Sequence, residues 1–215
     1  EQAVEAGADL LLTHHSLIFK PIKSVADTDF LGRRLIKLIQ ADITYYAMHT
    51  NYDAAPGCMA DRAAERLGLL DGQPLEVTGA VSGSLIGVGK VGTLKDALSL
   101  AQIAELVKRQ FHLPFVTVSV MERVKAPVSV AAISPGAGGS MIRYALEQQA
   151  DVLITGDIGH HTGIDAAACH MAVIDAGHYG LEQIFMEHME QYLKQEFGAV
   201  LELVIASETF PVKVL

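Results

Sequence analysis

Three short apolar runs in this chain stop at side chains of the metal-ligand type, which constrains its fold more than any other feature. Ala8–Thr13 (ADLLLT) ends in His14 and His15, Ile43–Met48 runs into the stretch His49–Asp53, and Ala172–Asp175 gives way to His178 and Glu182. Apolar runs this short, bounded by turn signals, fit buried strands. Between them lie segments with helical spacing: Leu31–Gln40, then Met59–Leu67, which Gly68 stops. Alternating strands and helices predict an α/β protein with mixed or largely parallel sheets. In such sheets ligands gather beyond the carboxyl ends of the strands.

The rest of the chain continues the pattern. Asp71–Pro74 carries a turn signal, and VTGAVSGSLIGVGKVG is glycine-rich and β-like. A helix is expected over Leu98–Phe111, strands over Phe115–Met121 and Val128–Ile133, and a loop over Ser134–Ser140. Beyond these, a helix is expected over Met141–Gln149, a strand over Asp151–Thr155, a helix over Leu181–Phe197 and a strand over Val200–Ala206. The architecture expected is two α/β lobes sharing a cleft: residues 1–72 with 183–215, and residues 73–182. The opening EQAVEAG reads as the tail of a helix, so a missing N-terminal segment is expected.

Composition removes several function classes. Half of the residues are apolar, yet no run approaches the ~18 apolar residues of a membrane span. A formal charge of −9 with no basic cluster argues against nucleic acid or anionic lipid as partner. The two cysteines, Cys58 and Cys169, form no CxxC pair, which suits a reducing cytoplasm and not a disulfide scaffold.

Spacing gives the candidate ligands their chemistry. His178 and Glu182 are four residues apart and share one face of a helix that starts near Gly177. His14 and His15 are adjacent, so in extended chain their side chains diverge. Adjacent histidines serve two neighbouring ions better than one, with Glu182 or Asp53 available to bridge. Imidazole and carboxylate without thiolate suit Zn²⁺, Mn²⁺ or Fe²⁺.

The segments LLLTHHSLIF, YAMHTNYDAAPG, GVGKVG, ISPGAGGS, ADVLITGDIGHH and IDAGHYGLE together resemble the Ngg-interacting-factor-like family, whose bacterial members are labelled GTP cyclohydrolase 1 type 2 homologues. The resemblance spans essentially the whole chain. It implies a dinuclear centre held by His14, His15, Asp53, His178 and Glu182 between two α/β lobes, and assembly as a homohexamer. Three departures stand out. The family's first helix and strand are absent, Gly72–Val120 leaves no room for the ferredoxin-like insert of some relatives, and Leu181 stands where many relatives have Ser or Thr.

Secondary candidates surround this set. Asp157, His160 and His161 come after the strand Asp151–Thr155 and could orient a ligand or move protons, or simply cap the next helix. His49 is a further candidate of this kind. The loop with Gly136, Gly138, Gly139 and Ser140 could present backbone N–H groups to a phosphate, or could allow close packing. Gly87–Gly92 satisfies GxGxxG but lacks the acidic residue a dinucleotide site needs, so a tight glycine turn is expected. His112, His170 and His188 have no partner at ligand spacing.

Two functions fit. One is a metal-dependent hydrolase acting on a nucleotide or other phosphorylated small molecule, with Asp157, His161 and His49 as catalytic candidates. The other is a non-enzymatic metal-binding scaffold that engages a protein partner.

Overall fold

The computed structural model describes residues 1–120, 127–207, 210 and 212. The chain divides into two compact units. One comprises Glu1–Tyr52 with residues 192–207; the other comprises Asp53–Gln191 with Phe210 and Val212.

The first unit is built on one β-α-β crossover. After the short helix α1 (Gln2–Glu5), strand β1 (Leu10–Thr13) leads through helix α2 (Phe30–Gln40) to strand β2 (Thr44–Ala47). Asp29 caps α2 by accepting the Gly32 N–H. β1 and β2 are parallel, with Leu10 opposite Thr44 and Thr13 opposite Ala47. That register sets the first unit's chemistry, because residues leaving both strands emerge side by side at one carboxyl edge.

The next elements in the chain are α3 (Thr50–Ala54), α4 (Met59–Leu67), β3 (Leu69–Val81), β4 (Ser84–Leu98), α5 (Leu100–Gln110), β5 (Thr117–Ser119) and β6 (Val128–Ala137). After them come α6 (Ile142–Glu147), β7 (Val152–Gly156), α7 (His160–Ala168), β8 (Ala172–Asp175), α8 (His178–Glu182) and α9 (Ile184–Phe197). Six strands form one mixed sheet in the order β3-β4-β6-β7-β8-β5. β6, β7 and β8 are parallel, whereas β3, β4 and β5 join antiparallel. The parallel strands are the buried ones: Ala132, Ile133, Val152, Leu153, Ile154 and Ile174 have essentially no exposed surface. Continuous apolar strands are what helices on a parallel sheet demand. Among the described residues no helix is long and apolar enough to cross a membrane.

Several local expectations are corrected. Asp71–Pro74 is not a turn. β3 runs through it on a register shift between Leu70 and Gln73, with Asp71 at φ 55°, and buried Leu75 anchors the strand beyond. The hairpin turns instead at Ser82 and Gly83. Gly87–Gly92 is likewise no turn but the interior of β4. Ser134–Ser140 is not a loop, since β6 continues to Ala137 and a 3-10 turn covers Gly138–Met141. The helix expected over Leu181–Phe197 is two, α8 and α9, separated at Gln183. No strand forms over Val200–Ala206, because Val200 ends a 3-10 turn and residues 201–206 pair with no described strand. Of Phe115–Met121, Thr117–Ser119 is strand, and Met121 lies outside the described residues.

Candidate metal centre

In the first unit, the carboxyl ends of β1 and β2 gather three imidazoles. Met48 N–H donates to the Thr13 carbonyl (2.8 Å), which keeps the two chain segments together one residue past the strands. His14 and His15 leave β1 there and His49 leaves β2. Their ring centroids lie 5.0 Å apart for His14–His15 and 5.2 Å for His49 with each of the others. One ring nitrogen from each can be chosen so that all three lie within 4.8 Å of one another.

The surroundings orient these rings. His14 is buried, and its Nδ1 sits 2.8 Å from the Met48 carbonyl. A carbonyl only accepts, so Nδ1 carries the proton and Nε2 carries the lone pair. A backbone carbonyl holding one imidazole nitrogen so that the other can ligate is the usual support of a metal-binding histidine. Tyr45 pins the loop beyond: its hydroxyl donates to the His15 carbonyl (2.7 Å) and accepts the Leu17 N–H (2.7 Å).

The second unit builds its cluster at the carboxyl ends of β7 and β8. Thr155 pairs with Asp175, so the loops after both strands run side by side. The Asp175 carboxylate accepts the Ile158 N–H (2.8 Å) and the Gly177 N–H (2.9 Å), one from each loop. That clamp sets Asp157 beside His178. His178 Nδ1 lies 2.7 Å from Asp157 Oδ2, and its Nε2 lies 3.1 Å from Glu182 Oε1, one helical turn on.

Held between two carboxylates, His178 stays protonated far above its ordinary range. The Glu182 hydrogen bond is the largest cause; burial opposes it, the Asp157 bond adds to it, and the pKa rises to about 9. The proton on Nε2 occupies the place a divalent ion would take. Displacing it leaves Nδ1–H on Asp157, the carboxylate–histidine arrangement that fixes a metal-ligating tautomer.

This shift has a consequence for metal-free protein. A histidine whose folded pKa lies above its unfolded value contributes stability fully below pH 6.5, and the contribution falls as pH rises to about 9. Thermal unfolding of metal-free protein should therefore move to lower temperature across that window, and Asp157→Asn should flatten the slope. Asp157 has φ 56°. Asparagine tolerates that conformation well, so the variant reports charge and not backbone strain.

Glycines let the chain close around this cluster. A Cβ on Gly136, which has φ 87°, would stand 2.8 Å from Glu182 Oε1, and one on Gly138 would overlap Thr155 at 1.8 Å. Gly139 has open space, its nearest neighbour being Thr162 Cγ2 at 3.9 Å, and Ser140 is exposed. Gly136 and Gly138 thus serve packing directly, while Gly139 and Ser140 face solvent. His160 and His161 are exposed on the first turn of α7, with rings 5.3 Å apart. Asp53 lies half-buried in α3.

His49, the candidate for orienting a ligand or moving protons, stands in the imidazole cluster itself, two residues past β2. One feature escaped the sequence. Asp175 is the clamp between two loops, and a strand-terminal Asp gives no such signal without the neighbouring strand.

A mixed α/β protein whose imidazoles and carboxylates gather at the carboxyl ends of parallel strands is the class these observations define. The sequence profile of Duf34/NIF3 (NGG1p interacting factor 3) matches residues 1–211, and the chain belongs to that family. Among its relatives, a Streptococcus pneumoniae serotype 4 protein named GTP cyclohydrolase 1 type 2 homolog is 33% identical over 196 residues, 90% of this chain and 72% of the relative. A Methanocaldococcus jannaschii protein of the same name is 31% identical over 211 residues, 98% of this chain and 79% of the relative. The crystal structure of a Bacillus cereus protein related to NIF3 superposes with a TM-score of 0.86 at 21% identity, over 100% of this chain and 85% of that one.

Proposed function

We propose that the chain is a dinuclear metal-dependent hydrolase acting on a nucleotide or another phosphorylated small molecule, with His14, His15, Asp53, His178 and Glu182 as ligands. The observation that carries the reading is the approach of the proposed ligands His14 and His15 to each other and to His49, which would stand beside the ion: one ring nitrogen of each lies within 4.8 Å of the others. Three imidazoles brought so close, one buried and oriented by a carbonyl, fit a divalent cation better than they fit one another. The donor set contains no thiolate, which favours Zn²⁺, Mn²⁺ or Fe²⁺.

Bound divalent ions would supply Lewis acidity and lower the pKa of water. The chain's own residues do the rest. Asp157 holds the Nδ1 proton of His178, and Glu182 contributes a carboxylate of which only 10% is exposed. His161, exposed at the start of α7, is placed to exchange protons with solvent. Gly139 and Ser140 offer a backbone segment open to a phosphate. The relatives' printed name supports a purine nucleotide as substrate. By the same resemblance we include hexameric assembly in the proposal.

Asp157→Asn is expected to weaken metal affinity ~10–100-fold while leaving the fold intact, as losses of a ligand's orienting carboxylate do. Competition with a fluorescent chelator reads that change directly. For activity, the test is release of product from a panel of nucleotides and sugar phosphates by metal-loaded protein. Turnover that a chelator abolishes and added metal restores supports the hydrolase, whereas a fully metallated protein inert on the whole panel contradicts it. The inert outcome would favour a metal-binding scaffold, for which exposed Phe19 (76%), Phe30 (63%) and Ile39 (72%) offer contact surface.

A further inference from the structure

The glycine-rich segment Gly87–Gly92, which lacks the acidic residue of a dinucleotide site, contributes to the wall of a cavity in the second unit. A Cβ on Gly87 would stand 1.9 Å from the Glu76 carbonyl oxygen, so only glycine lets β4 run this close to β3 there. Gly89 comes next at φ 66°, where a Cβ would stand 2.9 Å from the Ile133 carbonyl oxygen. Just beyond them the strand brings Lys90 to the lining of a cavity of about 170 Å³. Pro56, Leu85 and Ile86 supply apolar walls, and Asp61 joins Lys90 at the polar end.

The polar end determines what can enter. Lys90 Nζ donates to Asp61 Oδ1 at 2.7 Å, and Asp61 Oδ2 accepts the Gly57 N–H at 2.6 Å. The lysine side chain is 16% exposed and the carboxylate 37%. An ammonium has three donors and each carboxylate oxygen two lone pairs, so this bond leaves both groups capacity for a ligand. The pair is neutral overall. A simple anion meets Asp61, a simple cation meets Lys90, and neither is favoured. What matches is an uncharged edge with an acceptor beside donors, carried on a flat apolar body of roughly one or two rings.

We propose that this cavity is a nucleobase pocket selective for a guanine-type edge, in which Lys90 donates to the ring carbonyl oxygen and Asp61 accepts from the adjacent ring and exocyclic N–H groups. Two neighbouring N–H donors suit a carboxylate in the bidentate manner, while an adenine edge offers only one ring acceptor beside one amine. Leu85, 56% exposed at the mouth, covers a ring face and leaves the sugar and phosphate outside. Pocket residues Ala54 and Pro56 closely follow the proposed ligand Asp53 in the chain, so one chain segment serves both proposed sites. The inference deepens the nucleotide reading above and rests on it for the substrate class.

The test is calorimetric titration of the full chain with GMP, AMP and ribose 5-phosphate, in metal-loaded and in chelator-treated form. GMP is expected to bind about tenfold or more tightly than AMP and ribose 5-phosphate in both forms, the scale of lost hydrogen bonds to charged groups. Asp61→Asn should remove most of that preference while leaving metal content unchanged. Leu85→Ser, at an exposed position that tolerates substitution, should weaken GMP and AMP alike and leave ribose 5-phosphate unaffected. Equal binding of the three ligands, a GMP preference that survives Asp61→Asn, or GMP and AMP binding that Leu85→Ser leaves unchanged overturns the pocket. A guanine preference in a chain that takes up no added Zn²⁺, Mn²⁺ or Fe²⁺ would overturn the metal-centre reading and leave the pocket standing; metal-dependent ribose 5-phosphate binding without base preference would do the reverse.

Discussion

Glu182→Ala is expected to strip the protein of most of its divalent metal, with affinity falling at least ~100-fold, beyond what loss of an orienting partner alone causes. Glu182 Oε1 sits 3.1 Å from His178 Nε2, and its carboxylate is almost enclosed, at 10% exposure. It lies against Gly136, the one point in β6 where the backbone is bare enough to admit it. A carboxylate placed so tightly beside an imidazole is positioned to share an ion with it, and no water can readily replace it. Glu182→Gln keeps the shape and loses the charge. Metal analysis after gel filtration should therefore show loss in both variants, with circular dichroism unchanged in Glu182→Gln. Full metal retention in Glu182→Gln would remove the carboxylate from the centre.

The second large effect concerns stability. Gly156→Ala would put a Cβ 2.3 Å from the His178 backbone nitrogen and 2.7 Å from both the Gly177 carbonyl carbon and the His178 Cα. All three neighbours are backbone, so no side chain can swing aside. The loop after β8 must move by about an ångström, and overpacking of this kind costs about 3 kcal/mol or more. The urea midpoint should fall by roughly 1 M or more, and metal affinity should fall with it because His178 moves. Gly139→Ala is the matched control. Its Cβ meets nothing nearer than Thr162 Cγ2 at 3.9 Å, so a change within about 0.5 kcal/mol is expected. Equal midpoints for the two variants would show that the approach of Gly156 to the β8 loop is not tight.

How much of this molecule is legible in its sequence depends on how far each signal reaches. The runs ADLLLT and AVID are legible as strands because they are short, apolar and bounded by turn signals, although only AVID is buried while β1 is half-exposed, and the polar residues just after them are legible as site candidates. Parallel pairing does the remaining work within each unit: it brings His49 to His14 in one and Asp157 to His178 in the other. That pairing is long-range, so the role of His49 in the imidazole cluster did not emerge from chain order. Glycine signals misled in a consistent direction. Asp71–Pro74 and Gly87–Gly92 read as turns by local chemistry, yet β3 and β4 use them to shift register and to pass close to one another. The reason for glycine at positions 138 and 156 lies in Thr155 and in the His178 backbone, which are neighbours only after folding. Val200–Ala206 is a mostly apolar run like a strand but finds no described partner, and without a ladder apolar character alone does not make one.

The most direct test of the metal centre is the metal-to-protein ratio of the purified wild-type chain, measured by elemental analysis beside His14→Ala and His178→Ala. The account predicts about two ions per chain, as a dinuclear site requires, with clear losses in both variants. A ratio near zero that added Zn²⁺, Mn²⁺ or Fe²⁺ cannot raise, or a full complement in either variant, would contradict it.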